Sequence, residues 1–163
     1  MHMDRNMKNL LFDYGGILKK NFAYEIKRPK KDRKLPVVLS RMEFFKILSS
    51  VVNIKHRAIL MITYSAGLRV GEVVRLRVKD IDTERKIIHV RGVKGMKDRY
   101  TILLDVAIEM LNLYLKSYQP EKWLFHGKNE NSHLTVRSVE KIFDNAVRSV
   151  GVTKNVFIHS LKT

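Results

Sequence analysis

Residues 63–72, Thr-Tyr-Ser-Ala-Gly-Leu-Arg-Val-Gly-Glu, constrain the fold more than any other stretch of the chain. Before them, residues 54–66 are apolar enough for a buried helix, with Ile59, Ile62 and Ala66 at helical spacing and Leu60, Met61 and Tyr64 widening the face. Gly67 offers the left-handed position that ends such a helix. The pattern then resumes at Leu68, Val70, Val73, Val74 and Leu76 as a second short helix. Arg69 is thereby fixed between two packed segments, with Glu72 one helical turn on. The plain reading is a surface ion pair, since most arginines at helix starts are solvated. A guanidinium held on a rigid base and braced by a carboxylate also presents a planar fork that suits a phosphate or carboxylate.

Charge narrows what such a chain binds. Lys and Arg number 32 against 16 Asp and Glu, giving a net charge of +16 and a pI near 10.2, the footprint of a polyanion binder. Nucleic acid is the leading partner. No apolar run has the length of a membrane span and no signal-like segment opens the chain, so a soluble, cytoplasmic protein is expected. The absence of cysteine removes disulfides, thiolate metal sites and cysteine nucleophiles. The histidines are scattered without ligand spacing, so neither a metal nor a cofactor is expected. Gly92-Val93-Lys94-Gly95 lacks the spacing and ending of a Walker phosphate loop.

Along the chain, residues 1–24 carry a helical pattern (Met7, Leu10, Leu11, Tyr14, Ile17, Leu18) that Gly15-Gly16 interrupts. Lys27, Arg28, Lys30, Lys31, Arg33 and Lys34 then make a basic stretch around Pro29, a linker able to follow a phosphate backbone or simply to solubilise. Ser40 and Glu43 form a capping box with Leu39 able to staple onto Phe44, and Phe45, Ile47 and Leu48 are expected to supply the buried face. Residues 86–91 and 100–104 read as strands, with Ile88 and Val90 on one face of the first and Tyr100, Ile102 and Leu104 on one face of the second. The basic, glycine-bearing residues between them form a hairpin loop. Asp105 is expected to cap a helix through Ala107, Ile108, Leu111 and Leu115, and Trp123-Leu124-Phe125 to form a short third strand. Thr135 caps an amphipathic helix that Gly151 ends, with Arg137, Lys141 and Arg148 on its solvated side. The fold class is α+β, mostly helical with a small antiparallel sheet.

Ser65-Ala66-Gly67-Leu68-Arg69-Val70-Gly71-Glu72-Val73-Val74-Arg75-Leu76, followed by Asp80-Ile81-Asp82, resembles the first conserved box of the tyrosine recombinase (phage integrase) family. His159 with Lys162 is similar to the opening of its second box, a histidine and an arginine separated by two residues, except that lysine stands where the arginine belongs. Lysine keeps the charge but loses the bidentate fork. The resemblance implies a catalytic domain over residues 36–163, preceded in 1–35 by a remnant of a DNA-clamping helical domain and a basic linker. It implies DNA strand exchange through a 3′-phosphotyrosyl intermediate without metal or other cofactor. Arg69 would hold the phosphate, Lys94 in the hairpin (Lys97 as the fallback) would protonate the leaving oxygen, and His159 would bind the phosphate or shuttle a proton. Lys162 would add a point charge, Glu72 would hold the site's shape, and Arg75, Arg77, Lys97 and Arg99 would join the basic linker on the DNA.

The family's attacking tyrosine follows a further box, and none of Tyr14, Tyr24, Tyr64, Tyr100, Tyr114 and Tyr118 matches it. The expectation is a recombinase catalytic domain truncated at both ends and inactive alone, acting on double-stranded DNA with oligomeric assembly on the DNA left open. Two alternatives stand beside it: a non-enzymatic DNA-binding protein on the same scaffold, and a basic RNA-binding protein.

Overall fold

Ser40 opens the first helix through its capping box. Its hydroxyl accepts the Glu43 N–H at 3.2 Å while the Glu43 carboxylate accepts the Ser40 N–H at 2.8 Å, starting α1, Arg41–Ser50. The computed structural model describes residues 37–92 and 97–161, all within the unit Pro36–Thr163. The N-terminal helical pattern, the basic stretch 27–34, Lys94 and Lys162 lie outside the described residues. On α1 the buried side chains are Phe44, Ile47 and Leu48, while Phe45 is exposed. Spacing explains the correction: 44, 47 and 48 share one helical stripe, and the Phe44 ring stacks on Tyr64 with centroids 3.9 Å apart.

Asn53 caps α2, Ile54–Ser65, by accepting the His56 N–H at 3.1 Å. From Ala58 to Thr63 every residue is buried, so α2 runs through the interior. Its one buried hydroxyl, on Thr63, is satisfied by the Ile59 carbonyl at 2.7 Å. Gly67 ends this segment at φ +58°, a conformation that any other L-residue adopts with strain. The next helix, α3, spans only Val70–Val73, shorter than the apolar pattern suggested. A 3₁₀ turn, Val78–Asp80, then leads into the sheet.

The sheet is antiparallel, in the order β1 (Ile81–Asp82), β2 (Ile87–Val90), β3 (Arg99–Ile102). Its register pairs Val90 with Arg99, His89 with Tyr100 and Ile88 with Thr101. Partners across a ladder share a face, so Arg99 and Thr101 lie on the inner side with buried Val90 and Ile88. Tyr100 and Ile102 face outward, 67% and 70% exposed. The Thr101 hydroxyl donates to the Ala66 carbonyl at 2.9 Å, and the Leu104 N–H donates to the Ser65 hydroxyl at 2.9 Å. These two bonds seat β3 on the end of α2.

Leu104, not Asp105, is the N-cap of α4, Asp105–Tyr118. Asp105 lies one residue inside, where its carboxylate pairs with Lys86 at 2.6 Å. Ala107, Leu111 and Tyr114 form the buried side of α4, which packs along α2. Residues 123–125 do not add a strand to the sheet. Trp123 makes one isolated bridge to Arg77, after which Leu124 and Phe125 turn into the core. The Leu124 N–H donates to the Leu76 carbonyl at 2.8 Å, and its own carbonyl accepts the Tyr114 hydroxyl at 2.6 Å.

Thr135 caps α5, Val136–Ser149, whose buried stripe is Val139, Phe143, Ala146 and Val147. Arg137 and Lys141 are exposed on its other side with Arg148. A 3₁₀ turn, Ile158–Leu161, packs against α5 through buried Ile158 and Leu161. The architecture is α+β, mostly helical with one small antiparallel sheet.

Candidate functional site

Burial of Leu68 and Val70 on either side of Arg69 fixes its backbone and turns its side chain out, 57% exposed. Glu72 is the hub beside it. One Glu72 oxygen accepts the Arg69 N–H at 2.7 Å, and the other lies 3.8 Å from the Arg69 guanidinium. The Arg99 fork closes on the same carboxylate with both nitrogens, at 2.7 and 3.0 Å. Burial alone would raise the Glu72 carboxyl, whose side chain is only 9% exposed; the Arg99 fork and the Arg69 N–H outweigh it and hold the group below its ordinary range. Arg99, expected among the DNA contacts, therefore has its fork on Glu72.

Asp80 repeats this arrangement one step along the chain. Its side chain is 1% exposed; one oxygen accepts the Arg77 N–H at 3.0 Å and the other accepts both Nε and Nη2 of Arg91, at 2.8 and 2.7 Å. Hydrogen bonding to this carboxylate raises the Arg91 guanidinium further above its ordinary value. Arg91 follows β2 and Arg99 begins β3. The two arms of the hairpin are thus each tied, through a guanidinium, to a carboxylate that also holds a backbone N–H of the 69–80 segment.

A third carboxylate closes the neck of the hairpin. Asp98 accepts the Gly92 N–H at 2.8 Å and bonds the His89 ring at 2.9 Å, and the Gly92 N–H is the leading reason its carboxyl sits low. His89 in turn stacks on Tyr100 with centroids 5.0 Å apart. Lys97 is exposed beside this neck.

Arg75 and Arg77 are held by different devices. Arg75 folds back so that its Nε donates to the Gly71 carbonyl at 2.8 Å. A Cβ on residue 71 would lie 3.1 Å from Arg75 Nη2, so glycine makes room for the guanidinium. Arg77 lies over the Trp123 ring, 5.2 Å from its centroid, and the Trp123 indole is pinned by the Asn131 carbonyl at 3.1 Å. As a site residue Trp123 escaped the sequence reading, which placed it only in a short strand over the apolar run 123–125.

His159 sits on the exposed side of the terminal 3₁₀ turn, while Ile158 and Leu161 anchor that turn in the core. The structure therefore brings Arg69, Glu72 and Arg99 together and places Asp80 and Arg91 alongside them through the hairpin; Lys94 and Lys162 lie outside the described residues. Among the described residues no group of His, Asp or Glu is arranged to hold a metal ion, and no helix is long and apolar enough to cross a membrane.

Residues 37–163 match the model of the phage integrase family. An integrase/recombinase of Escherichia coli is 42% identical over a 196-residue alignment covering 94% of this chain and 58% of that protein. Tyrosine recombinase XerA of Pyrococcus horikoshii is 32% identical over 143 residues, covering 86% of this chain and 50% of the relative. The chain spans about half the length of the curated relatives it matches. Among solved structures, the XerA recombinase crystal structure superposes with a TM-score of 0.70 at 26% identity, covering 78% of this chain and 48% of that one. The XerH site-specific recombinase bound to its difH substrate, a pre-cleavage complex, gives 0.68 at 26% identity, covering 79% of this chain and 41% of XerH.

Proposed function

The chain belongs to the phage integrase family, and from that premise we propose that it is a site-specific recombinase domain acting on double-stranded DNA, with residues 36–163 as the catalytic domain and 1–35 as part of a DNA-clamping region with its basic linker. The observation that carries this reading is the position of Glu72, which fixes the Arg69 backbone and, through Arg99, one arm of the hairpin that holds Lys94. Such a device fits a site whose task is to keep a guanidinium in place against a phosphate.

In this reading Arg69 grips the non-bridging oxygens of one DNA phosphate and His159 hydrogen-bonds the same group. Lys94 gives a proton to the departing 5′ oxygen, Lys162 adds a point charge, and Glu72 with Arg99 is the brace. A tyrosine oxygen attacks phosphorus as its proton passes to His159 or to water, the 3′-phosphotyrosyl bond forms, the bond from phosphorus to the 5′ oxygen breaks, and that oxygen leaves with the lysine's proton. None of the chain's tyrosines matches the position that the resemblance gives the attacking tyrosine. Tyr64 is stacked on Phe44, and burial pushes up the Tyr114 phenol, whose hydroxyl is spent on Leu124. Tyr118 packs against Tyr114, and Tyr100 is stacked on His89. The chain alone is accordingly proposed to bind without cleaving, and copies are proposed to assemble on DNA.

Duplex binding measured against salt tests the first half. The affinity should fall steeply as salt rises, and Arg69→Ala should weaken it; a flat dependence removes DNA as the partner. A suicide duplex tests the second. No covalent adduct is expected from this chain, whereas one is expected after a family C-terminal segment is appended and Lys162→Arg is introduced. Failure of that chimera would favour a purely DNA-binding role, which lysine at position 162 already suits.

A further inference from the structure

A cavity of about 200 Å³ opens beside the Arg69 site, lined among others by Glu72, Arg75, Arg77, Asp80, Arg91 and Trp123. Its charges do not cancel. Glu72 is taken up by the fork of Arg99, and Asp80 by the fork of Arg91. Arg75 and Arg77 have no carboxylate partner among the described residues. Both are nevertheless held in place, Arg75 by the Gly71 carbonyl and the space a glycine leaves, Arg77 by the Trp123 ring. A solvated surface arginine needs neither device. Two uncompensated guanidiniums fixed on one small concavity make an anion seat, because little side-chain freedom is left to lose when the ligand arrives.

We infer that this cavity is a second phosphate seat, taking a DNA backbone phosphodiester adjacent to the one at Arg69, with Arg75 and Arg77 as its ligands and Trp123 as the shelf that aims Arg77. The inference rests on the DNA reading above for the source of the phosphate, but the seat itself is a matter of local charge and shape. Glu72 belongs to both places: it braces Arg69 and lines the cavity, so the two seats are one carboxylate apart. The contact carries no base information, so its loss should weaken all duplexes alike.

Trp123 is the sole tryptophan, so its emission reports on the cavity directly. The experiment titrates the full chain with a short duplex and, separately, with inorganic phosphate, reading tryptophan fluorescence and duplex affinity across a salt series. Arg75→Gln/Arg77→Gln is compared with Arg148→Gln on the exposed side of α5, and Arg77→Lys keeps the charge while removing the fork. The duplex should change the Trp123 emission of the unaltered chain. The double variant should lose that change, bind about tenfold or more weakly, and show a salt slope smaller by about 0.9, the value for one phosphate contact. Arg148→Gln should keep both the slope and the emission change, and Arg77→Lys should fall between. Duplex binding with unchanged emission, or a double variant no weaker than Arg148→Gln, overturns the seat while leaving the DNA reading intact. An emission change with inorganic phosphate but no duplex binding overturns the DNA reading and leaves the seat as a site for another phosphate. Thermal melting of each variant separates lost binding from lost fold.

Discussion

The interior around α2 and the face around Arg69 are built from opposite materials. In the first, α2 is buried from Ala58 to Thr63 and packs along α4, and the one polar side chain within that buried run, Thr63, is satisfied within its own helix. In the second, the hairpin arms are held by two carboxylates and two guanidinium forks, and a cavity of about 200 Å³ lies beneath them. Apolar packing is non-directional and resists loss of volume, whereas charge-assisted forks fix orientation and resist loss of charge. A chain that must present a guanidinium in one direction uses the second kind of contact where direction matters and the first kind everywhere else.

That contrast can be broken by mutation, beginning with the core. Phe143→Ala, at a fully buried side chain of α5, should destabilise by about 3 to 5 kcal/mol in chemical denaturation, enough to threaten a domain of ordinary stability. Asp80→Ala should destabilise by about 1 to 3 kcal/mol, less than a doubly buried pair, because Arg91 is left 43% exposed and can turn to water. The sharper result lies in the cycle with Arg91→Ala: the double variant should be little worse than Asp80→Ala alone, since both changes break the same tie. Additive losses would mean that the two groups act separately. Ser40→Ala, which removes only a cap, should lower stability by roughly 0.5 to 2 kcal/mol with no effect on duplex affinity.

The smallest effect is a pH dependence. Lys154 pairs with Glu43 at 2.6 Å and, with the Ser40 N–H, holds its carboxyl at about 2 against an ordinary 4.5. The folded chain therefore holds this proton less readily than the unfolded one. Its contribution is complete above pH 4.5 and is lost as the pH falls toward about 2. Lys154→Met should flatten the melting temperature across that window, lowering it slightly at neutral pH and leaving it nearly unchanged near pH 2; an unaltered acid profile would contradict the pairing.

What could be read from sequence was whatever is local. Ser40 with Glu43, Gly67, Thr135 and Gly151 each announce a helix boundary within three or four residues, and the alternation of Ile88 and Val90 marks the inner face of β2. Of the ties that hold the site, only the near-neighbour one, Arg69 with Glu72, was legible. The fork of Arg99 reaches Glu72 across 27 positions, and that of Arg91 reaches Asp80 across 11. Those ties depend on the hairpin register, which places Arg99 opposite Val90 on the inner face, and an outward-facing Tyr100 and Ile102 give no hint of it. Trp123 was hidden for the same reason: one isolated bridge to Arg77 leaves no periodic trace. The mistaken Phe45 and Asp105 assignments were one-residue slips, where a local pattern fits two phases almost equally well.

The most direct test is a nuclear magnetic resonance titration of the chain with a short duplex, following backbone amides. Shifts should concentrate at Arg69, at Gly92 and Arg99 on the hairpin arms, at the Trp123 indole and at His159, and should sparingly touch the basic outer side of α5 at Arg137, Lys141 and Arg148. Shifts centred on that side of α5, with the Arg69 turn and the hairpin silent, would contradict the account.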